Sequence, residues 1–576
     1  MSTFRVWAPR ATQVEVEVDG GRVPMVPVGD RGWYETHVDG IAAGDGSDYR
    51  FVLDGSDALP DPRSAHQPTG VHGPSRLVDH GAFGWTDQRW RGIHLPSAVI
   101  YELHVGTFTP EGTFDGAVTR LDHLVDLGVD VVELLPVNEY SGSRGWGYDG
   151  VDLYAPHHAY GGPDGLKRLV DACHSRGLGV VMDVVYNHLG PAGNYLGRYG
   201  PYFTDRYATP WGEAVNLDGP GSEEVRSFFV DNAVMWLEDY HCDGLRLDAV
   251  HAIIDASAVH LLEQLSVRVE DLSAQLGRDL FLIAESDLND PRVVRRREVG
   301  GYGIDAQWSD DFHHAIHSVL TGEITGYYQD FGTMAALATA FERAFVHAGE
   351  YSPYRGRRHG RLDPALGGHR FLGYSQNHDQ VGNRAAGERT AAMVSTARLK
   401  VAAALVLTSP FVPLLFQGEE WGATTPFQYF TDHEDPDLGR AVSAGRRQEF
   451  AAFGWDPEDV PDPQDAATFE RSKLDWSEPE REPHEGLLHW YRRLIQLRRE
   501  VPELSDGRLD RVRTIYGEED RWLVVERGRV IIACNLGARE IRLPLTGRLL
   551  AASDPEVTVD GATVWLPPDS MGLLRS

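Results

Sequence analysis

The chain has 576 residues, 42% of them hydrophobic and 10% aromatic, enough for a large core and more than one domain. Its 86 acidic residues against 54 basic ones give a net charge of −32, which argues against nucleic acid and anionic membrane surfaces as partners. Cys173, Cys242 and Cys534 lie too far apart for a disulfide framework or a metal-ligand spacing. The start, Met1-Ser2-Thr3-Phe4, carries no signal-peptide hydrophobic region, and no uncharged apolar run reaches the ~20 residues of a membrane span. The expectation is a cytoplasmic enzyme.

From Phe4 to about Phe83 the pattern is all-β. Val14, Val16 and Val18 alternate with Glu15 and Glu17, and Tyr49, Phe51 and Leu53 alternate again. Asp19-Gly20-Gly21 and Gly29-Asp30-Arg31-Gly32 mark hairpin turns. Together they predict a small, separate β-sandwich. The run Ala58–Pro74, rich in Pro, Gly and His, reads as a linker or a loop laid across the next domain.

From about Ser97 strands and helices alternate. Eight strands are predicted: Val99–Val105, Val131–Val137, Val180–Val185, Gly244–Val250, Phe281–Glu285, Asp305–Asp311, Phe371–Gln376 and Pro413–Gln417. Amphipathic helices are predicted over 115–127, over 164–177 and from Ser222, an N-cap candidate, through Tyr240. Eight alternations over ~400 residues indicate an α/β fold, a (β/α)8 TIM barrel with long insertions. The insertion that begins Gly142-Ser-Arg-Gly-Trp-Gly-Tyr-Asp-Gly150 is glycine-rich but lacks the Lys-Ser/Thr of a phosphate loop. From about Pro502 short apolar runs between turns predict a C-terminal β-sandwich. The domains expected are 1–90, 91–501 and 502–576.

In such a barrel chemistry sits at the C-terminal strand ends. There the sequence places Asp183 with Asn187 and His188 on strand three, and Arg246, Asp248 and His251 on strand four. Strand five brings Glu285 and Asp287, and strand seven His378 and Asp379. Arg246 and Asp248, two apart on a strand, face the same way, and a guanidinium beside a carboxylate keeps it ionised. Glu285 follows the apolar run Phe281–Ala284, so burial and neighbouring acids should hold its proton on. One charged and one protonated carboxyl, roughly 5–5.5 Å apart, is what a retaining glycosidase needs.

On the segments Asp183–His188, Gly244–His251, Ile283–Asp287 and Phe371–Asp379 the sequence resembles the alpha-amylase family of glycoside hydrolases, over roughly residues 97–500. The resemblance implies that Asp248 is the nucleophile, Glu285 the general acid/base and Asp379 the acid that holds substrate hydroxyls. It makes Arg246, His188 and His378 grip the sugar above the platform of Tyr148, with Asp183 and His251 beside them, and the N-terminal sandwich carbohydrate-binding-like. Trp146–Gly161, Asn187–Leu196, Thr209–Asp218, Trp308–His314 and Thr425–His433 resemble the members that hydrolyse the α-1,4 bond next to the terminal trehalose of maltooligosyltrehalose. The branching glucosyltransferases resemble the chain least at Ser309–His313. That match adds Asp310, Asp311, His313, Gln380 and Asn383 as substrate contacts, and an α-glucan oligosaccharide as the partner. No cofactor and no catalytic metal are expected. Asn187 matches a calcium position of some amylases, but an Asn bonding its own loop is the simpler reading. Trp146, Trp211, Trp308, Phe427, Tyr429 and Phe430 are stacking candidates, each equally able to be core.

Overall fold

A computed structural model describes residues 2–42, 44, 46–209, 212–452 and 460–576, with side chains 449–452 left aside. At its centre is a closed barrel of eight parallel strands: Ile100–Leu103, Val131–Leu134, Gly179–Val184, Gly244–Leu247, Phe281–Ala284, Ala306–Trp308, Phe371–Gly373 and Val412–Phe416. The (β/α)8 fold expected from the sequence is therefore present. Each expected strand lies within a few residues of an observed one. Most were drawn too long at the C-terminal end, where the chain leaves the ladder to build the mouth.

The period-two rule sets what fills the barrel. Ile100, Val131, Val181, Phe281, Ile283, Ala306, Leu372 and Val412 pack together inside it. Two residues further along the strands, the inward series turns polar: Glu102, Glu133, Asp183 and Arg246. Glu133 stands in register with Glu102, and Asp183 with Arg246. Asp248 and Glu285 follow above, just past their strands.

Two predicted helices need correction. The segment 115–127 is two short helices, Phe114–Val118 and Leu121–Leu127. Ser222 begins its helix, Ser222–Glu238, but does not cap it; the N-cap is Gly221 at φ 80°. The helix is buried on most of its circumference because the N-terminal sandwich covers the side turned away from the barrel. Trp33 Nε1 donates to Glu224 Oε2 at 3.0 Å, and Arg63 pairs with Asp231 at 2.9 Å.

The N-terminal sandwich has one sheet of Ser2–Trp7, Trp33–Val38 and Val26–Val28, and a second around Val14–Val18 and Asp48–Leu53. Its apolar residues run into the same contiguous core as the barrel helices. The loop after Ala58 crosses onto the barrel: Tyr199 Oη donates to the Pro60 carbonyl at 2.7 Å. At the other end a five-stranded antiparallel sheet, from Val512–Gly517 to Ser570–Arg575, faces the three-stranded sheet Ile541–Leu543, Thr563–Leu566 and Thr558–Asp560. Arg527 ties the larger sheet to the barrel by donating to the carbonyls of Thr408 and Ser409. No described helix is long and apolar enough to cross a membrane.

Candidate active site

Arg246 organises the barrel mouth. Its side chain is fully buried, and one nitrogen donates to both oxygens of Asp183 at 2.9 Å and to Asp248 Oδ1 at 2.8 Å. The other nitrogen donates to Glu285 Oε2 at 2.9 Å. One planar guanidinium thus gathers three carboxylates from strands three, four and five, and Trp308 closes its underside at 4.3 Å. Two carboxyls bonded to the same small cation lie within a side chain's reach of each other, as a retaining pair about 5–5.5 Å apart requires.

The two carboxyls are nonetheless in different states. Burial alone would raise Asp248, but Arg246, the Asn187 amide at 2.7 Å and His188 outweigh it and hold the carboxyl below the ordinary aspartate value. Burial also raises Glu285 and is its largest influence. Arg246 pulls back, Asp248, Asp379 and Asp310 push up again, and the group stays well above the ordinary glutamate value. Ala249, between them in sequence, takes the left-handed conformation at φ 39°, a strained choice for a residue with a Cβ. That turn aims its N–H at Glu285 Oε2, 2.8 Å away.

Tyr148 arrives from the glycine-rich insertion. Gly147 sits at φ +99°, and a Cβ there would lie 2.1 Å from the Pro136 carbonyl. Only glycine lets this loop lie so close to the barrel rim. Tyr148 Oη donates to Asp183 Oδ2 at 2.6 Å, its ring stacks on His378 at 5.1 Å, and His188 Nε2 bonds its carbonyl. Asp379 opens the short helix after strand seven, accepts from Asn383 at 3.1 Å and lies 3.6 Å from His378 Nε2. Tyr148 and His188 also border a cleft of about 500 Å³ whose far walls include Phe203, Glu213, Tyr429 and His433.

Of the residues singled out in the sequence, Tyr148, Asp183, His188, Arg246, Asp248, Glu285, His378 and Asp379 come together here. Gln380 and Asn383 follow Asp379 on its helix, half-buried and exposed. His251 lies exposed beyond strand four, with its charge felt at Asp287. Strand six departs from expectation. The ladder stops at Trp308, Ser309 caps a helix, and Asp310 and Asp311 fall in its first turn, splayed apart rather than alternating. Asp310 bonds Tyr374 and is pushed up to about 7, mainly by burial. Asp311 accepts from the main chain of Val346 and His347 and from Asn289, at 2.7, 3.0 and 2.9 Å. His313 is spent on the Ser375 carbonyl and Tyr328. Both ring nitrogens of His313 are thus engaged, and the three bonds to Asp311 all fall on Oδ2. Among the stacking candidates Trp308 and Phe427 are buried core, Trp146, Tyr429 and Phe430 line the cleft, and Trp211 lies outside the described residues.

Asn187 bonds the backbone and carboxylate of Asp248 and receives His188 on its other end, so its amide is fully used. Glu139, His157 and His158 have ligand atoms within 4.8 Å of one another, the one such group among the described residues. His157 Nδ1, however, accepts the Ala159 N–H at 3.1 Å, so its neutral ring carries the proton on Nε2, the atom that faces Glu139. His157 Nε2 lies 3.7 Å from Glu139 Oε1 and has no hydrogen-bond partner. Sequence reasoning missed Glu102. An acid within Ile100–Leu103, at an inward position of a strand otherwise apolar on that face, was the available signal.

A closed parallel barrel whose strand ends bring an Arg, two Asp and a Glu together at one mouth fits a glycosidase of the alpha-amylase class. Residues 68–201 match the alpha amylase catalytic domain model, and 507–573 match a domain of unknown function. The chain is 54% identical to a malto-oligosyltrehalose trehalohydrolase of Arthrobacter ramosus over 99% of both chains. It is 50% identical to one of Mycobacterium tuberculosis over 100% of this chain and 99% of that one. A 1,4-alpha-glucan branching enzyme of Corynebacterium jeikeium is 28% identical over 73% of this chain and 61% of its own. A crystal structure from Salmonella typhimurium, described as a candidate alpha amylase, superposes with TM-score 0.92 at 39% identity, covering 100% of this chain and 97% of that one. The chain belongs to the malto-oligosyltrehalose trehalohydrolase family.

Proposed function

We propose that the protein hydrolyses the α-1,4 bond next to the terminal trehalose unit of maltooligosyltrehalose, releasing trehalose and a shortened maltooligosaccharide, by a retaining double displacement. Asp248 attacks the anomeric carbon while Glu285 protonates the departing oxygen. Glu285 then takes a proton from the water that hydrolyses the glycosyl-enzyme. Asp379 binds sugar hydroxyls and strengthens its hold as positive charge develops on the ring. Tyr148, Asp183, His188, Arg246 and His378 shape the pocket for the sugar at the cleavage point, and His251, Asp310, Gln380 and Asn383 extend the contacts. Asp311 and His313, by their other bonds, hold the end of strand six. The domain limits proposed are 1–90, 91–501 and 502–576, and the location proposed is the cytoplasm.

The observation that carries this reading is the guanidinium of Arg246 bonded at once to Asp248 and Glu285. It is tested by product analysis on maltooligosyltrehalose beside a plain maltooligosaccharide of equal length. Free trehalose from the first, with slower cleavage of the second, is expected. Absence of trehalose, or new α-1,6 branches on amylose detected by iodine staining, overturns it in favour of glucosyl transfer.

A further inference from the structure

Beneath the catalytic carboxylates lies a second polar layer, of which the reaction above leaves Glu102 and Glu133 without a role. Glu102, from strand one, accepts from His378 twice: Oε1 from Nδ1 at 2.6 Å and Oε2 from the main-chain N–H at 3.0 Å. Both side chains are 1% exposed. The bonds of the neighbours decide where the protons are. Asp183 receives Arg246 on both oxygens and so acts as a carboxylate; Tyr148 donates its one proton to Asp183, and must therefore accept from His378 Nε2, 2.8 Å away. His378 Nδ1 donates to Glu102 on the opposite side. Both ring nitrogens carry hydrogen, so the ring is an imidazolium.

We propose that Glu102 is a positioning residue for hydrolysis: it fixes the ring of His378 and keeps it a double donor, charged but electrically balanced, at the floor of the sugar pocket. This rests on the reaction proposed above. Balance matters because the transition state is oxocarbenium-like. An unpaired imidazolium near it would oppose the developing charge, whereas an ion pair carries no net charge. The other charged or titratable groups around His378 are Glu133 from strand two, Asp183 from strand three and Arg246 from strand four. Tyr148 comes from the insertion, His104 from beyond strand one, and Asp379 from the same helix as His378. Glu133, in register with Glu102, has one oxygen without a partner and is driven toward its neutral form by burial first and Glu102 second. Burial alone would strip His378 of its proton; Glu102, then Asp379, reverse this and raise the ring to about 9.

The test is a titration of His378 in full-length protein labelled at histidine Cε1, its signal identified by loss in His378→Asn. In the wild type the ring should remain charged through neutral pH and titrate near about 9. In Glu102→Gln its titration should fall by about 1–3 pH units, and Glu102→Asp should restore part of that fall. Kinetics on maltooligosyltrehalose should show kcat for Glu102→Gln down by about tenfold to a hundredfold near neutral pH. KM should change little. A neutral His378 in the wild type at pH 7 overturns the proposal, even if the variant does not fold. So does a Glu102→Gln enzyme whose His378 titration matches the wild type. A wild type that releases no trehalose but holds a charged His378 would fail the functional reading and leave this assignment of charge standing.

Discussion

Two layers of acids occupy the barrel, Glu102, Glu133 and Asp183 on strands one to three and, above them, Asp248, Glu285 and Asp379 past the ends of strands four, five and seven, and they behave oppositely. In the upper layer Asp248, Glu285 and Asp379 have side chains 11%, 17% and 36% exposed. In the lower, Glu102 and Asp183 are 1% and 2% exposed, and Glu133 is sealed in with them. Above, water and substrate can reach a carboxyl, so its protonation state can be used in a reaction. Below, no solvent reaches it, so its protonation state is fixed by burial and by its neighbours, Arg246, His378 and the adjoining acids. The difference comes from the distance to the rim, not from residue type.

The sharpest way to break this division is Asp248→Asn. An amide cannot attack the anomeric carbon, so kcat should fall on the order of 10⁴-fold or more, with the fold unchanged by circular dichroism. Near-wild-type turnover would move the nucleophile elsewhere. Glu285→Gln should cost about 10²–10⁴-fold on maltooligosyltrehalose. The loss in the first step should shrink on an α-glycosyl fluoride, whose leaving group needs no proton. The sign of the pH effect follows from the direction of its shift. Glu285 works protonated and is held well above the ordinary value, so activity is retained through the acid range and lost as pH rises past its pKa. Glu285→Gln should abolish that limb, leaving a decline only where His378 discharges, near about 9. An alkaline limb unchanged in Glu285→Gln would assign it to another group.

Strands four and six show how far the sequence could be read. Both end in a bulky residue, a polar one and acids. On strand four the ladder runs to Leu247, and period-two alternation correctly turned Arg246 and Asp248 the same way. On strand six it ends at Trp308 and a helix begins at Asp310, where successive side chains diverge by about 100°. The predicted strand Asp305–Asp311 therefore overran the ladder, and Asp311 falls on the helix instead. The turn from ladder to helix depends on Ser309 capping and on Val346 and His347 lying alongside, a long-range packing fact that no local pattern carries. Glu102 was passed over for the converse reason: its strand reads as core, and its partner His378 is 276 residues away. The barrel itself was legible because eight apolar runs set apart by amphipathic segments require only the local pattern. Asp311→Ala tests the correction. It strips three buried donors of their acceptor, so stability should drop by about 2–4 kcal/mol, seen as a lower thermal midpoint. Activity per folded molecule should fall by far less than in Asp248→Asn; a loss of comparable size would return Asp311 to the substrate site.

The smallest effect expected lies in the lower layer. Glu133 is raised well above the ordinary glutamate value, by burial and then by Glu102. In the unfolded chain it ionises near the ordinary value; in the folded barrel it keeps its proton. Between those two points the folded state binds one proton more, so unfolding becomes easier as pH rises. Below the ordinary value both states are protonated and the penalty vanishes. Glu133→Gln keeps the shape and removes the ionisation, so it should raise the thermal midpoint by about 1–2 °C at pH 8 and leave it nearly unchanged at pH 4.5. Its kcat should stay within a few-fold of wild type, because Glu102 still faces His378. If the variant is stabilised equally at both pH values, Glu133 is not a proton held against solvent. If kcat instead collapses as in Glu285→Gln, the separation between a reacting layer and a supporting one fails at this position.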